Sequence, residues 1–439
     1  MKARDERSHR RGRRSAITLA AMITPLVLAA ACSSSHDPAG DAGTTGQPGA
    51  TSAGPSLSPI KVGEIVEISG VGLYWPFQEA VDKAAVRGIN ARGGINGHPI
   101  ELDACDGHND PNSELQCARK LVSDGVVAVV GGIASTNGAA VDAYYEQHHI
   151  AAIGVNPLVN QDFNSPDQFL VSSGQFGIFA GDVYNAAQHG LKKIWIMTLN
   201  VPGADLGVQI SKDTAAKVGV DIVGVSKIPL TSTDDASYVQ AAIAGGADAV
   251  MPAMGATQTA ALLLALNQSG TGLKLLNLDT EPAGDISGAC GSGGGVCAGS
   301  LGSSFSLPPT DTQNAGIKLF QQDMQAEAAS GDSAAAPEKA YNDLTLQGWL
   351  GMEAFAKVAA RLDKITAQTV LDGFKRAKNI DLWGIIPSWT PNSSAGIKGY
   401  PRISNLYVYM TELHSDLLPH AVSPTPHNVL TLAPKLAGI

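Results

Sequence analysis

The stretch IKVGEIVEISG at residues 60–70 is rich in β-branched residues and ends on a Ser-Gly pair, which predicts a buried strand followed by a turn. Beyond this turn, apolar residues recur with the spacing of one helix face, at Phe77, Ala80, Val81, Ala84, Ala85 and Ile89. This helix is expected to end near Gly93 and Gly94, because glycine readily takes the left-handed conformation that closes a helix. The folded part of the chain therefore starts with a strand and an amphipathic helix.

The next segments continue the alternation of strand and helix. PIELDA at residues 99–104 predicts a second strand, Pro111 opens a helix that runs to about residue 123, and VVAVV at residues 126–130 predicts a third strand. An unbroken apolar run is typical of a parallel strand covered on both faces. The alternation predicts a parallel α/β sheet, in which ligands bind beyond the carboxyl ends of the strands. These ends are expected at residues 69–75, 105–110 and 131–137.

Residues 89–132 read INARGGINGHPIELDACDGHNDPNSELQCARKLVSDGVVAVVGG. This pattern resembles the first lobe of type I periplasmic-binding-fold proteins and, more narrowly, the leucine/isoleucine/valine-binding family of ABC-transporter receptors. The resemblance implies an α/β fold of two doubly wound parallel-sheet lobes joined by a hinge that the chain crosses three times. It covers residues 60–175 well, and residues 190–280 and 335–420 more loosely.

The length of 439 residues also favours two lobes, because one core rarely serves so long a chain. We expect residues 60–175 and 309–380 to form lobe one. Residues 176–308 and 381–420 would form lobe two, and residues 421–439 would form a C-terminal tail. The crossings near residues 175, 308 and 380 would then make a hinge that closes about a cleft.

The N-terminus has the pattern of a secretory signal. Residues 1–31 combine a Lys/Arg-rich start with an apolar stretch that ends in small residues, and a signal peptide is predicted for them. Cys32, followed by three serines, resembles the lipid-modified cysteine of bacterial lipoproteins. Residues 32–58 are rich in Ser, Gly and Pro, which predicts a flexible tether. We expect export by the general or the twin-arginine route, with lipid anchoring at Cys32 on the outer face of the cytoplasmic membrane.

Charge and cysteine content narrow the function classes. Removal of residues 1–31 takes away seven Lys/Arg and two Asp/Glu and changes the net charge from −10 to −15, so a nucleic-acid partner is not expected.

Four further cysteines fall in two close pairs, Cys105 with Cys117 and Cys290 with Cys297. Two disulfides are predicted for an exported chain; the rival interpretation is metal ligation, although no pair has the two-residue spacing that zinc sites favour.

The glycine-rich turn at residues 131–138 is the first candidate for a ligand site. It follows a strand and precedes a helix, so its backbone N–H groups suit a carboxylate, and Ser135 and Thr136 add hydroxyl groups. In the resembled family the matching turn holds the α-carboxylate of the ligand. The alternative is that these residues only cap the following helix.

The resemblance implies four further ligand contacts. Trp75 would line an apolar pocket, or else pack only on the helix that follows it. Asn156 stands near a position where the family often has a hydroxyl group. Asp279, with Glu281 as the near alternative, matches an acid that pairs with the ammonium group of the ligand, and Tyr341 matches a residue that faces the cleft. Two lobe-two aromatics of the family are missing here, where Pro202-Gly203 and residues 254–256 stand.

No motif for a serine hydrolase, a zinc protease or a phosphate-binding loop occurs, so an enzyme is not expected, and neither a cofactor nor a metal is predicted. The sequence predicts a lipid-anchored receptor that passes a small solute, a branched-chain amino acid or a related amino acid or amide, to the permease subunits of an ABC importer. The alternatives are a ligand sensor of the same fold that signals to a membrane receptor or kinase, and a cell-envelope hydrolase.

Overall fold

A computed structural model of the protein describes residues 57–70, 73–200, 204–229, 232 and 235–432. The predicted signal peptide, Cys32 and most of the predicted tether lie outside the described residues, as do Pro202 and residues 433–439.

The first sheet is formed by parallel strands in the order β2-β1-β3-β4-β5. Its strands are β1 (Ile60–Val66), β2 (Ile100–Asp106), β3 (Ala128–Val130), β4 (Ala151–Ile153) and β5 (Gln168–Phe169). The register pairs Ile60 with Ile100 and Val130 with Ile153, which brings the carboxyl ends of the strands to one edge. The predicted α/β class with a parallel sheet is confirmed.

Helices cover both faces of this sheet. They are α1 (Pro76–Ala91), α2 (Pro111–Ser123) and α3 (Gly138–Gln147). The stripe of α1 that contains Phe77 and Val81 packs on one face, and Leu121 and Tyr145 from α2 and α3 pack on the other. Helix α1 ends before Gly93, whose φ of 103° is open to glycine but strained for other residues.

A second parallel sheet follows, with the strand order β7-β6-β8-β9. The elements of this part are α4 (Gln175–Gln188), β6 (Lys193–Leu199), α5 (Ala204–Val218), β7 (Asp221–Ile228), α6 (Ala236–Ala244), β8 (Ala249–Ala253), α7 (Ala256–Ser269) and β9 (Lys274–Leu275). Strand and helix thus alternate through residues 190–280, which the family resemblance covers only loosely.

The next part of the chain departs from the sequence prediction at its start. The elements are α8 (Ala283–Cys290), β10 (Leu301–Ser304), α9 (Ala315–Ala329), α10 (Pro337–Ala340), α11 (Leu346–Ala359) and α12 (Ala367–Arg376), with 3₁₀ turns at Ser292–Gly294 and Ser333–Ala335. Residues 284–304 are rich in Gly and Ser, which disfavours a helix, but α8 forms at their start because Ile286, Ala289 and Cys290 give one apolar face that becomes buried.

The last strands form an antiparallel sheet with β10. They are β11 (Tyr407–Leu413), β12 (Pro419–Ala421) and β13 (His427–Asn428), followed by α13 (Val429–Leu432). The sequence of residues 381–409 predicts strands and a hairpin, but β-structure before Tyr407 is limited to isolated bridges such as Ile380 with Trp389. Three prolines and three glycines between residues 384 and 401 explain this difference, because both residue types interrupt strands.

The largest apolar core joins distant parts of the chain. Residues of the first sheet and of α1 pack with Trp349 and Phe355 of α11, Phe320 of α9 and Phe374 of α12. The segment after β10 therefore returns to the first sheet and completes its core. Among the described residues, no helix is both long and apolar enough to cross a membrane.

Asn405 connects three segments of the chain that pass between the sheets. Its side-chain amide donates to the carbonyl of Val171 at 2.7 Å and to the carbonyl of Phe305 at 3.3 Å, and Asn405 is only 4% exposed. Residues 171, 305 and 405 are thus held side by side by one buried group.

Both expected disulfides are present. Cys105–Cys117 joins β2 to α2, and Cys290–Cys297 joins the end of α8 to the segment before β10.

Candidate functional site

Polar side chains from neighbouring segments meet beyond the carboxyl ends of β1, β2 and β3. We call these residues the strand-end cluster: Glu67, Asn109, Glu114, Ser135 and Thr136. Glu67 follows β1, Asn109 follows β2, and the two hydroxyl residues follow β3, while Glu114 comes from the first turn of α2. The parallel sheet therefore brings polar groups from separate loops together, as its topology predicts.

Glu114 binds the glycine-rich turn after β3. Its Oε1 accepts hydrogen bonds from the backbone N–H and the hydroxyl of Thr136, both at 2.8 Å, and from the Ser135 hydroxyl at 3.2 Å. Its Oε2 accepts the backbone N–H of Asn137 at 2.6 Å. Glu114 is fully buried, so this turn already holds a carboxylate that belongs to the protein itself.

The start of α2 fixes the position of Glu114. Asp110 caps this helix by accepting the backbone N–H groups of Asn112 and Ser113, and Pro111 occupies its first turn. The disulfide at Cys117 ties the next turn of α2 to β2. These local constraints aim Glu114 at the turn after β3.

Glu67 places a second buried carboxyl group beside Glu114. The backbone N–H of Asn109 donates to Glu67, and the Asn109 side chain donates to the carbonyls of Ser69 and Leu73 at 2.9 and 2.8 Å. Burial, reinforced by the neighbouring carboxyl of Glu114, raises the pKa of Glu67 to about 7. Glu67 is therefore partly protonated near neutral pH.

Trp75 precedes α1 and is half-buried. Its backbone N–H donates to the carbonyl of Glu67 at 2.8 Å, and its ring lies 6.0 Å from the ring of Phe77 at an angle of 40°. The side chain packs against the core of the first sheet but keeps part of its surface open. Tyr74 beside it is 63% exposed, so the segment just before α1 presents aromatic surface.

Asn156 follows β4 and is held from α11. Its backbone N–H donates to the carbonyl of Gly132 at 3.0 Å, and its side-chain oxygen accepts from the Gln347 amide. Gln347 in turn accepts the Ser172 hydroxyl at 2.8 Å. Asn156 is 8% exposed. Its bond to Gly132 places it at the same sheet edge as the turn after β3.

Asp279 belongs to a buried group of acids that we call the acidic cluster: Asp182, Asp279 and Asp343. The Thr411 hydroxyl donates to the Asp279 carboxyl, and the backbone N–H of Asp343 donates to the Asp279 carbonyl at 2.8 Å. Each of the three carboxyl groups is at most 1% exposed, and none forms an ion pair with a described residue. Burial raises the pKa of Asp279 to about 6 and raises those of Asp182 and Asp343 as well.

Glu281 and Tyr341 lie near Asp279 in sequence or structure. Glu281 accepts the Thr259 hydroxyl at 3.0 Å, and burial raises its pKa to about 8. Tyr341 directly follows α10 and is 8% exposed, with its ring 5.4 Å from the Phe320 ring. Tyr341 therefore contacts the core of the first sheet, while its near neighbour Asp343 contacts Asp279.

The structure thus brings Trp75, Ser135, Thr136 and Asn156 to one edge of the first sheet and sets Asp279 near the segment of Tyr341. The two clusters also contain residues that the sequence prediction missed, among them Glu114 and Asp343. Glu114 had a readable signal, because it shares the helix spacing of Cys117, Ala118 and Leu121 and so falls on the buried face of α2. Asp343 had no local signal, since its partners come from distant segments.

A large groove lies away from the predicted site, and no metal-binding group of side chains is found near it or elsewhere among the described residues. This groove of about 830 Å³ runs between α1, α9 and β2, past Arg87 and Glu327, and contains none of the predicted site residues. Within the described part of the chain, no group of three or more His, Cys, Asp or Glu side chains is arranged to hold a metal ion.

Comparisons with known proteins agree with this architecture. A family model described as "Periplasmic binding protein" matches residues 59–398. The chain is similar to the Leu/Ile/Val-binding protein of Escherichia coli strain K12, at 33% identity over 95 residues that make up 21% of this chain and 26% of the relative. It is also similar to the leucine-specific-binding protein of Salmonella typhimurium, at 31% identity over 116 residues, or 26% of this chain and 31% of that protein. The chain thus spans about a quarter to a third of the length of these curated relatives.

Solved structures share the fold over most of the chain. A branched-chain amino acid ABC transporter protein from Thermus thermophilus with bound valine superposes with a TM-score of 0.67 at 14% identity, covering 86% of this chain and 98% of that one. A solute-binding protein from R. palustris in complex with 4-hydroxybenzoate superposes with a TM-score of 0.66 at 19% identity, covering 85% and 97%.

Proposed function

The chain belongs to the periplasmic binding protein family, and we propose that it is an extracytoplasmic solute receptor of an ABC importer. The observation that carries this proposal is the family match over residues 59–398, together with parallel sheets whose strand ends gather polar and aromatic side chains. The receptor would bind a small solute between two lobes and present it to permease subunits. The named relatives are transport proteins, which favours import over sensing, and no catalytic role is proposed.

The proposed solute is a branched-chain amino acid or a related amino acid or amide. The curated relatives bind leucine, isoleucine or valine according to their names, and the Thermus thermophilus protein holds valine. The R. palustris protein holds 4-hydroxybenzoate, so the same fold also takes an aromatic acid.

The proposed binding residues come from both sides of the cleft. Trp75, Ser135, Thr136 and Asn156 would form the wall of lobe one. Asp279 would pair with a positively charged group of the solute, since a buried carboxylate gains most from such a partner, and Tyr341 would lie beside it. The absence of a described cationic partner for Asp279 supports this role.

The proposed lobes follow the boundaries expected from the sequence. Residues 60–175 and 309–380 would move as one lobe and residues 176–308 and 381–420 as the other. The shared core of the first sheet with α9, α11 and α12 supports the first grouping. Leu382 and Trp389 pack in the same core, which favours a third crossing after residue 389 rather than near residue 380. Ligand binding would shift the population towards a closed form, because the closed form makes additional contacts to the solute.

The proposed anchor is a lipid on Cys32, with residues 33–58 as the tether to the folded body. Membrane fractionation of cells that express the chain tests this proposal. The protein should sediment with membranes, and the Cys32→Ala variant should not acquire the lipid. Equal lipid labelling of both proteins would exclude Cys32 as the site.

A thermal-shift screen of the purified protein tests the receptor function. The panel contains the common amino acids, their amides, urea, polyamines and short carboxylates. A solute present at about 100 times its dissociation constant adds roughly 2.7 kcal/mol of stability, which moves the unfolding midpoint visibly. A shift by one class of solute supports the receptor and identifies its ligand, whereas no shift across the panel counts against the receptor.

A further inference from the structure

The turn after β3 has the usual features of an anion site, but an internal group fills it. Backbone N–H groups of Thr136 and Asn137 point into the turn at the start of α3, where the helix dipole is positive. Both N–H groups donate to the Glu114 carboxylate, at 2.8 and 2.6 Å. An incoming anion therefore finds these two donors already used.

The hydroxyl groups of the turn are oriented by the same contact. The Thr136 hydroxyl donates to Glu114 at 2.8 Å, and the Ser135 hydroxyl donates to it at 3.2 Å. A hydroxyl group has one proton and two lone pairs, so each oxygen has only acceptor capacity left for another partner. Thr136 is exposed and Ser135 half-buried, which leaves these oxygens within reach of a solute.

A second buried carboxyl group, that of Glu67, makes this position still less favourable for an anion. Glu67 lies next to Glu114 and is fully buried. A solute carboxylate at this turn would be a third carboxyl group in a buried site, and like charges in such a site repel strongly. A neutral or positively charged donor would be attracted instead.

We infer that Glu114 is a specificity-determining residue that permanently fills the anion site of this turn, so that the solute presents an uncharged or cationic hydrogen-bond donor here. The matching chemical classes are primary amides, amines and hydroxyl compounds rather than free carboxylates. This inference rests on the proposed function, because it concerns the same cleft. It narrows the proposed solutes from amino acids and amides to amides.

Matched pairs of solutes test the solute class on the purified protein. The probes are L-leucine with L-leucinamide, and 4-hydroxybenzoate with 4-hydroxybenzamide, with dissociation constants measured by calorimetry. We expect the amide of a pair to bind at least about tenfold more tightly than the acid, since about tenfold corresponds to a modest electrostatic cost. An acid that binds as tightly as its amide would overturn the inference and leave the receptor function standing.

Variants of Glu114 test the anion site independently of the natural solute. In Glu114→Ala the vacated turn should bind acetate, seen as a rise in the unfolding midpoint that saturates with acetate concentration. The wild type and Glu101→Ala, which removes an exposed glutamate of β2, should show no such rise. If acetate does not stabilise Glu114→Ala, the turn is not an anion site and the inference fails, whatever the panel of solutes shows.

A milder variant covers the case in which Glu114→Ala does not fold. Glu114→Gln keeps the size of the side chain and removes its charge, so the preference for the amide over the acid should fall by about tenfold. An unchanged preference would overturn the role of Glu114. If none of the four solutes binds the wild type while acetate still stabilises Glu114→Ala, the receptor proposal and the solute class lose support but the internal anion site stands.

Discussion

The carboxyl groups of Glu64 on β1 and Asp82 on α1 lie against each other in the core of the first sheet, with neither residue more than 1% exposed. Burial raises the pKa of Asp82 to about 7 and raises that of Glu64 well above its ordinary value, with the neighbouring carboxyl as the next cause for Glu64. At least one of the two groups is therefore protonated in the folded protein at mildly acidic pH.

The Glu64–Asp82 pair predicts that the protein is more stable in acid than in base. A raised folded-state pKa gives stability that is fully present below the unfolded-state pKa and is lost as the pH rises through about 7. Glu64→Gln cannot ionise at this position, so its free energy of unfolding should fall less between pH 5 and pH 8 than that of the wild type. Urea denaturation at four pH values measures this difference.

The control for this experiment is Glu101→Gln, which changes an exposed glutamate on the neighbouring strand β2. It should keep the wild-type pH dependence. Equal slopes for Glu64→Gln and the wild type would show that the pair has no energetic role.

The close packing of Gly348 against Asp82 can be tested by adding a methyl group. A methyl group at Gly348 on α11 would lie 2.0 Å from Oδ1 of Asp82, so Gly348→Ala should reduce the free energy of unfolding by about 1–3 kcal/mol. Gly288→Ala on α8 is the matched helical control, because its added methyl group meets nothing within 4 Å and should stabilise the protein by up to about 1 kcal/mol. Thermal unfolding of both variants decides the point; a loss of equal size in both would mean that contact with Asp82 is not the cause.

Replacement of Asp279 is expected to weaken solute binding and, at the same time, to stabilise the protein without solute. Asp279→Asn should weaken the binding of a solute with an ammonium group by about 2–5 kcal/mol, because it removes the buried partner of that charge. It should also make the empty protein more stable above pH 6, since the acidic cluster then contains one carboxyl group fewer. Calorimetry with L-leucinamide and denaturation at pH 8 measure the two effects. Asp221→Asn, an exposed change at the start of β7, should alter neither, and an Asp279→Asn variant with unchanged affinity would exclude Asp279 from the binding site.

Asn405 predicts a stability effect at the junction of three segments. Asn405→Asp removes the amide that donates to the carbonyls of Val171 and Phe305 and leaves a carboxylate facing both oxygens. The free energy of unfolding at pH 7 should fall by about 1–3 kcal/mol, the usual cost of leaving buried polar groups unpaired. Asn379→Asp, an exposed position with a φ of 52° that both residues tolerate, serves as the control. Urea denaturation that shows equal stability for the two variants would contradict this role of Asn405.

Much of the fold could be predicted because its signals are local. The strand at residues 60–66, the apolar face of α1 and the apolar run at β3 each appear within a short window of sequence. The disulfide pairs were also readable from close spacing. Segment 381–406 was predicted less well, because its path depends on tertiary contacts such as the bond from Arg402 to the carbonyl of Gln168.

The candidate site was predictable only in part. Ser135 and Thr136 stand out as a turn between a strand and a helix, but the group that they bind comes from α2, a contact that depends on how α2 packs beside β3. A glutamate inside the apolar strand at residue 64 is a visible anomaly, yet its partner Asp82 is set by how α1 lies across β1. The acidic cluster combines residues 182, 279 and 343, which no sequence pattern connects.

The return of α9, α11 and α12 to the first sheet has a consequence for biogenesis. Trp349, Phe355 and Phe374 belong to the same core as Val62 and Ile153, so the face of the sheet that α1 begins to cover cannot be completed until more than three-quarters of the chain has emerged. Contacts of such long sequence separation form slowly and leave apolar surface open meanwhile. A chain that is exported unfolded, with its N-terminus first, would therefore spend most of its passage with an unfinished first sheet and with apolar surface open to aggregation.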